Sequence, residues 1–123
     1  MSTPREVFEQ LSQGIGSGNW SRLHLLYAPD AEVTIPFMMP SPVRIHGREQ
    51  VREHFARFGG QVSLRPADVH VYETTDPELI VAEWDYVSGD VRLPNIQVLR
   101  IRDGLIVESH DYHHHAAIAE VMS

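Results

Sequence analysis

Side chains that can transfer protons are spaced two residues apart in two stretches of the chain. Glu83 and Asp85 stand in the first stretch, and Asp111 and His113 stand in the second. Residues two apart in a β-strand point to the same face, so each pair would lie side by side. Carboxylates held close together raise one another's pKa, so that an acid and a base can coexist near neutral pH. The spacing therefore favours general acid–base chemistry.

Strand alternation leaves the direction of these side chains open. Trp84 and Tyr86 occupy the face opposite the two acids of the first stretch, and both faces carry large apolar residues. If the two aromatic residues pack under helices, the acids face solvent or a neighbouring strand. If the sheet curves around a cavity, the acids can line that cavity. In the second stretch, Asp111 and His113 can likewise face either the protein interior or solvent.

A metal site is a third possibility. Asp111, His113 and an acid from a neighbouring strand are zinc or iron ligands by type. However, the consecutive histidines 113–115 alternate between opposite faces of a strand, and the helical H-x-x-x-H spacing is absent. We therefore predict no metal site. Four scattered histidines are expected to be ordinary surface or hydrogen-bonded residues: His24, His46, His54 and His70.

The composition excludes several other kinds of chemistry. The 123 residues contain no cysteine and all ten basic residues are arginine, so thiol nucleophiles, thiolate metal sites and lysine Schiff bases are excluded. The net charge of −7 and the lack of a basic stripe predict no nucleic-acid partner. No apolar run approaches the roughly 20 residues of a membrane span, and no secretory signal begins the chain, so we expect a cytoplasmic protein.

Most helices are predicted in the first half of the chain and the long strands in the second. The spacing of apolar residues predicts a helix from Pro4 to about Ser17, a short one through Trp20 and Leu26, and a third at Arg48–Phe58. A last helix is predicted at Ala116–Met122. The predicted strands are Ala31–Phe37, Val43–His46, Val62–Glu73, Glu78–Ser88, Val91–Arg102 and Leu105–His113.

This order predicts a single α+β domain over residues 1–123, with helices on one face of a curved sheet. Long strands and few helices leave a concave space, which is typical of a ligand pocket. Phe37 and the loop Met38–Val43 are apolar without periodicity. They suit the mouth of that pocket, a subunit contact, or a loop packed on its own core.

Several short motifs, taken in order, resemble the SnoaL-like branch of the nuclear transport factor two-like superfamily. They are Leu26–Ala31, the strand ending at Pro36, His46–Val51, and Asp103–Glu108 followed by Asp111-Tyr112. The resemblance covers nearly the whole chain. It implies a conical half-barrel, in which three N-terminal helices wrap a strongly curved, mostly antiparallel sheet with a deep pocket. It also implies a homodimer.

The resemblance to the ketosteroid isomerases of this superfamily fails at the residues that carry their chemistry. The position of their general-base aspartate is Ile35 here. The tyrosine of their oxyanion hole falls near Leu11, and their second acid falls near Gln97. A steroid isomerase of that type is not expected, because neither the proton acceptor nor the donor pair is in place.

The resemblance to limonene-epoxide hydrolases extends further. The positions of their catalytic arginine and two aspartates match Glu83, Asp85 and Asp111, so two of three agree and the arginine is replaced by an acid. The tyrosine and asparagine that help hold their nucleophilic water fall near Glu32 and Thr34. Three carboxylates in one cavity would raise one or more of their pKa values. A protonated histidine on the last strand could then supply the missing cation.

These observations lead to one main hypothesis, an enzyme of isomerase, cyclase or epoxide-hydrolase type that needs no cofactor and acts on a small apolar, oxygenated compound. Asp111 would be the general base, Asp85 the general acid, His113 a group orienting Asp111, and Glu83 a further acid. The predicted substrate pocket consists of Trp20, Tyr27, Ile35, Phe37, Met38, Val81, Gln97 and Ser109. The alternative is a non-catalytic binding or assembly module of the same fold, which the altered arginine, tyrosine and asparagine positions favour.

Overall fold

Three helices form where the sequence predicts them. The computed structural model describes residues 2–59, 62–114, 116–117 and 120. Helix α1 is Pro4–Gly16, a 3-10 helix follows at Trp20–Leu26, and α2 is Arg48–Phe58. Helix α1 begins with a capping box, because the Thr3 side chain accepts from the Glu6 N–H while the Glu6 carboxylate accepts from the Thr3 N–H.

Six strands form one open sheet in the order β2-β1-β6-β5-β4-β3. The strands are β1 Tyr27–Ile35, β2 Val43–His46, β3 Arg65–Glu73, β4 Leu79–Ser88, β5 Val91–Arg102 and β6 Leu105–His113. Neighbouring strands are antiparallel except for the parallel pair β1 and β6. The predicted α+β class and its mostly antiparallel sheet are therefore confirmed.

Some strand ends differ from the prediction. Strand β1 begins at Tyr27 rather than Ala31, because its pairing with β6 shifts register between Tyr27 and Glu32 and so accommodates Pro29. Strand β3 begins at Arg65 rather than Val62. Ala116, Ala117 and Glu120 have helical backbone, and the rest of the predicted last helix lies outside the described residues.

The core lies between the helices and one face of the sheet, which we call the inner face. Trp84 on β4 packs edge-on against Phe8 of α1 with ring centroids 5.1 Å apart. The Tyr86 ring lies 5.4 Å from Trp84 on the same face. Fully burying one such side chain contributes roughly 1.5–3 kcal/mol. None of the helices α1, α2 and the 3-10 helix packs on the opposite, outer face of the sheet.

Helix α2 is fixed to β1 at its first turn. Gly47 adopts a φ of 89°, a left-handed conformation that favours glycine, and its N–H donates to the Ala31 carbonyl at 2.8 Å. Arg48 Nε donates to the Tyr27 carbonyl at 2.8 Å. These bonds hold the helix so that Phe55 lies 6.0 Å from the Tyr27 ring, above the inner face of the sheet.

No helix among the described residues is both long and apolar enough to cross a membrane.

Candidate active site

A hydrogen-bond network on the inner face holds the carboxylate of Asp111. Gln97 on β5 stands directly opposite Asp111 on β6. Gln97 Nε2 donates to Asp111 Oδ1 at 2.9 Å and to Ser109 Oγ at 3.1 Å. Ser109 Oγ donates to the same Oδ1 at 2.5 Å. The carboxylate is therefore held by uncharged donors rather than by an arginine.

A β-bulge in β6 turns this network toward the interior. The register between β5 and β6 shifts so that Ile101 faces Ile106 while Arg100 faces Glu108, which leaves Val107 as the extra residue. Ile106 and Ser109 are consequently both fully buried, although simple alternation predicts opposite faces for them. Asp111 follows Ser109 on the same inner face.

The surroundings of Asp111 favour its protonated form more than water does. Burial raises the pKa of the Asp111 carboxyl, while the hydrogen bonds from Ser109 and Gln97 and the nearby His110 partly oppose that rise. A carboxylate with a raised pKa is a stronger base than an exposed one. Asp111 is thus better suited than an exposed aspartate to accept a proton from a substrate.

Two buried phenols lie close enough to Asp111 to respond to its charge. Burial raises the pKa of Tyr27 well above its ordinary range, and the Asp111 carboxylate raises it further. Burial also raises the pKa of Tyr86, and Asp111 adds to that rise. Both hydroxyl groups therefore stay protonated at neutral pH and can donate hydrogen bonds to a ligand.

Two histidines line the same space. Burial, together with the nearby Arg57 and His113, lowers the pKa of His54 from 6.5 to about 4. The His54 imidazole on α2 is therefore neutral at physiological pH. His113 lies on β6 two residues beyond Asp111.

These groups surround a cavity of about 180 Å³. Most of its wall is aromatic or aliphatic, contributed by α1, α2, the 3-10 helix and the strands. Among the described residues that line it, Asp111 is the one acid and there is no arginine. The polar side chains that line it are Ser12, Tyr27, His54, Tyr86, Asn95, Gln97, Asp111 and His113.

Most of the residues predicted from the sequence lie at this cavity. The structure places seven of them in its wall: Trp20, Tyr27, Ile35, Met38, Gln97, Asp111 and His113. Ser109 lies directly behind Asp111 and reaches the cavity only through its hydrogen bond to that carboxylate.

The two acids of β4 lie elsewhere, which corrects the prediction of a shared acid pair. Glu83 is on the outer face and accepts a hydrogen bond from the Tyr72 hydroxyl at 2.9 Å. Asp85, also outside, accepts from Arg92 Nη1 at 2.9 Å. The inner positions of β4 belong to the aromatic residues Trp84 and Tyr86, whose burial removes more apolar surface from water.

Val81 and Phe37 are also absent from the cavity wall. Val81 shares the outer face of β4 with Glu83. Phe37 is 60% exposed and packs against Tyr112 at 5.6 Å, beside a groove of about 600 Å³ on the outer face that Glu83 and Asp85 also line. Of the two residues predicted at the mouth of the pocket, Met38 lines the cavity and Phe37 does not.

Sequence reasoning missed Tyr86, His54 and Asn95 as cavity residues. Tyr86 is two residues after Trp84 on β4 and therefore shares its face. Identifying the face that holds the tryptophan would also have placed the tyrosine in the cavity. His54 is one turn from Val51 and precedes Phe55 on α2, but the charged Glu53 precedes it directly in the sequence. For Asn95 we find no signal in the sequence.

Comparison with known proteins places this arrangement in a family. The model of the SnoaL-like domain matches residues 8–109. An uncharacterized PhzA/B-like protein of Pseudomonas aeruginosa is 34% identical over 94 residues, which are 71% of this chain and 67% of that protein. The chain belongs to the SnoaL-like domain family, as the motifs suggested.

Solved structures show the same fold. A proposed isomerase from Bacillus subtilis is 22% identical with a TM-score of 0.83, covering 95% of this chain and 90% of that one. A proposed polyketide cyclase from Pseudomonas putida is 18% identical with a TM-score of 0.80, and each chain is covered in full, 100%. At these identities the likeness establishes the fold, and the chemistry must be argued from the site.

Proposed function

We propose that this chain is a small-molecule enzyme of the isomerase or cyclase type, in which Asp111 is a general base acting on an uncharged carbonyl compound. The observation that carries the proposal is the enclosed Asp111 carboxylate, with a raised pKa, beside two phenols that stay protonated. A base and neutral hydrogen-bond donors in one apolar cavity are the groups that enolisation needs.

The reaction would begin with transfer of a proton from the carbon next to the carbonyl to Asp111. The electrons of the broken C–H bond move into the carbonyl, and an enolate forms. Tyr27 or Tyr86 would donate a hydrogen bond to the developing oxyanion, where a donor in a water-poor site is most effective. No group other than these side chains is needed for this step.

Two outcomes follow from the enolate. In an isomerisation, Asp111 returns its proton to a different carbon of the substrate. In a cyclisation, the enolate carbon attacks a second carbonyl of the same molecule, and the resulting alkoxide takes the proton that Asp111 holds. Either outcome leaves Asp111 ionised for the next turnover.

The cavity constrains the substrate. An anionic compound would be repelled by Asp111, and among the described lining residues no arginine is present to offset that repulsion. A cavity of about 150 Å³ is known to hold benzene, so the about 180 Å³ here suits a compound of roughly one ring. The proposed substrate is therefore a small cyclic or linear dicarbonyl rather than a steroid.

The placement of Asp85 and Glu83 removes support from the epoxide-hydrolase type. That chemistry needs a second acid at the epoxide oxygen, and the acids predicted for this role point away from the cavity. The isomerase and cyclase types need one carboxylate, which the cavity supplies. Membership of the SnoaL-like family and the fold shared with a proposed isomerase and a proposed cyclase support the same choice.

The test is hydrogen exchange in deuterated water, followed by NMR on a panel of one-ring ketones and 1,3-dicarbonyl compounds. We expect wild type to exchange the hydrogens next to the carbonyl, and Asp111→Asn to lose about 100-fold to 10,000-fold of that rate. The wild-type rate should fall as the pH drops through the raised pKa of Asp111, because the base must be ionised. Equal rates for both proteins would favour the non-catalytic binding module.

We also propose that the chain forms a homodimer through the outer face of the sheet. Phe37, Tyr72 and Ile96 are at least 42% exposed there, although each has a large apolar surface. Sedimentation velocity at micromolar concentration should give about twice the 14.0 kDa mass of one chain. A mass of one chain would contradict this proposal.

A further inference from the structure

Asp111 is bonded through only one of its two carboxylate oxygens, and both donors reach that same oxygen. The two donors are Ser109 Oγ and Gln97 Nε2, and the atom that accepts from both is Oδ1. No hydrogen bond from a described residue reaches Oδ2, on the side chain that also lines the cavity. The two oxygens are therefore not equivalent.

The donors orient one another as well as the carboxylate. Gln97 Nε2 lies within hydrogen-bond distance of both Asp111 Oδ1 and Ser109 Oγ, and these two oxygens are themselves 2.5 Å apart, so the amide donates toward both from one side. The serine oxygen is thereby occupied as an acceptor, which directs its own hydrogen to Oδ1. Gln97 itself is 6% exposed and Ser109 is fully buried, so water does not compete for these bonds.

The reverse orientation of the amide is unfavourable with an ionised Asp111. It would place Gln97 Oε1 against a negatively charged oxygen and two acceptors would face each other. In the observed orientation, Oε1 is buried and has no hydrogen-bond partner among the described residues. The amide thus donates to the carboxylate while its own acceptor stays without a hydrogen bond among the described residues, which is the arrangement expected if donation to Asp111 is functionally required.

We propose that Ser109 and Gln97 are positioning residues that hold Oδ1 of Asp111 and leave Oδ2 as the oxygen that exchanges protons with the substrate. The inference rests on the proposed function of Asp111 as a general base. When Oδ2 takes up a proton, Oδ1 remains an acceptor, so neither donor has to move. The same two bonds favour the charged form, so they also set the pH range in which the base works.

The direct test is a pH titration of the Asp111 side-chain carbon by NMR, which needs no substrate. We expect the pKa of Asp111 to rise by about one unit in each of the single variants Ser109→Ala and Gln97→Met, because each variant loses one hydrogen bond to the charged carboxylate. Ser109→Thr keeps the hydroxyl and should restore the wild-type titration. Ser88→Ala, at the far end of β4, is the matched control and should titrate as wild type.

Kinetics on an accepted substrate gives the second readout. Ser109→Ala should lose rate only on the acid side of the pH profile and recover at higher pH, whereas a purely structural defect would lower the rate at every pH. An unchanged titration in both Ser109→Ala and Gln97→Met, with Asp111→Asn inactive, would overturn this inference and leave the proposed function intact. Full activity in Asp111→Asn would instead overturn the proposed function.

If Ser109→Ala does not fold, as judged by its NMR spectrum, Ser109→Thr and Gln97→Met still decide the question. A changed titration in Gln97→Met together with a normal one in Ser109→Thr supports the inference. An unchanged titration in Gln97→Met then overturns it.

Discussion

Asp85 and Asp111 are both aspartates on neighbouring parts of one sheet, and they lie on opposite faces of it. Asp85 faces outward, where Arg92 neutralises it and solvent reaches it. Asp111 faces inward, where its hydrogen-bond partners among the described residues are an amide and a hydroxyl. An identical side chain is thus a surface ion-pair partner in one place and a candidate base in the other. Burial and partner type, not spacing along the strand, decide the difference.

The aromatic residues of the two faces should differ most in stability. Trp84→Ala on the inner face should lower the free energy of unfolding by about 3–5 kcal/mol, since it empties space against Phe8 and Tyr86. Tyr72→Ala on the outer face should cost about 1 kcal/mol or less in the single chain, because that ring is half exposed there. Urea denaturation of both variants at protein concentrations too low for a dimer checks the comparison. Equal losses under these conditions would contradict the exposed position of the Tyr72 ring.

The histidines of the two faces should differ in their pH dependence. The pKa of His54 falls from 6.5 to about 4 on folding, so between these values the unfolded chain binds more protons than the folded one. Stability from this group is present above pH 6.5 and is lost as the pH falls toward 4, by about 3 kcal/mol in all.

Replacement of His54 by glutamine should therefore flatten the stability–pH curve across that window. His46, which is exposed and hydrogen-bonded to Glu32, is the matched control. Thermal unfolding of both variants between pH 4 and pH 7 measures the difference. A curve for His54→Gln with the slope of wild type would contradict the neutral, buried state of this imidazole.

The two aspartates should respond oppositely to removal of charge. The folded-state pKa of Asp111 is raised, so ionisation at neutral pH opposes folding, and this cost disappears as the pH falls below the ordinary carboxyl value of 3.8. Asp111→Asn should therefore raise Tm at neutral pH, with the gain fading in acid. Asp85→Asn should lower stability by at most about 1 kcal/mol, because it breaks an exposed ion pair. A lower Tm for Asp111→Asn at neutral pH would contradict the assigned environment.

Much of the fold was predictable because local signals coincide with element ends. Helix α2 was predicted to the residue, since Gly47 precedes it and Gly59 follows it. The ends of strands β5 and β6 were also predicted correctly, because a turn that contains glycine precedes each strand. The predicted start of strand β1 was too late, because Pro29 is typical of a residue that ends an element. The irregular pairing of β1 with β6, which accommodates this proline, is visible only in the structure.

The site was only partly predictable. Asp111, Gln97 and Tyr27 line the cavity as predicted, but Asp85 and Glu83, which were proposed to line it too, lie on the outer face. Both faces of β4 carry large apolar residues, so alternation could not identify the inner one. The choice depends on the packing of Trp84 against Phe8, a contact between elements 76 positions apart in the chain. The bulge at Val107 is equally invisible from strand alternation.

The comparison of the two aspartates leads to one decisive measurement, the hydrogen-exchange rates of Asp111→Asn and Asp85→Asn on the same carbonyl substrate. Both replacements remove one charge and keep the side-chain shape. If Asp111 is the general base, Asp111→Asn loses at least about 100-fold of the exchange rate and Asp85→Asn keeps the wild-type rate. A wild-type rate for Asp111→Asn, or equal losses in both, would contradict it.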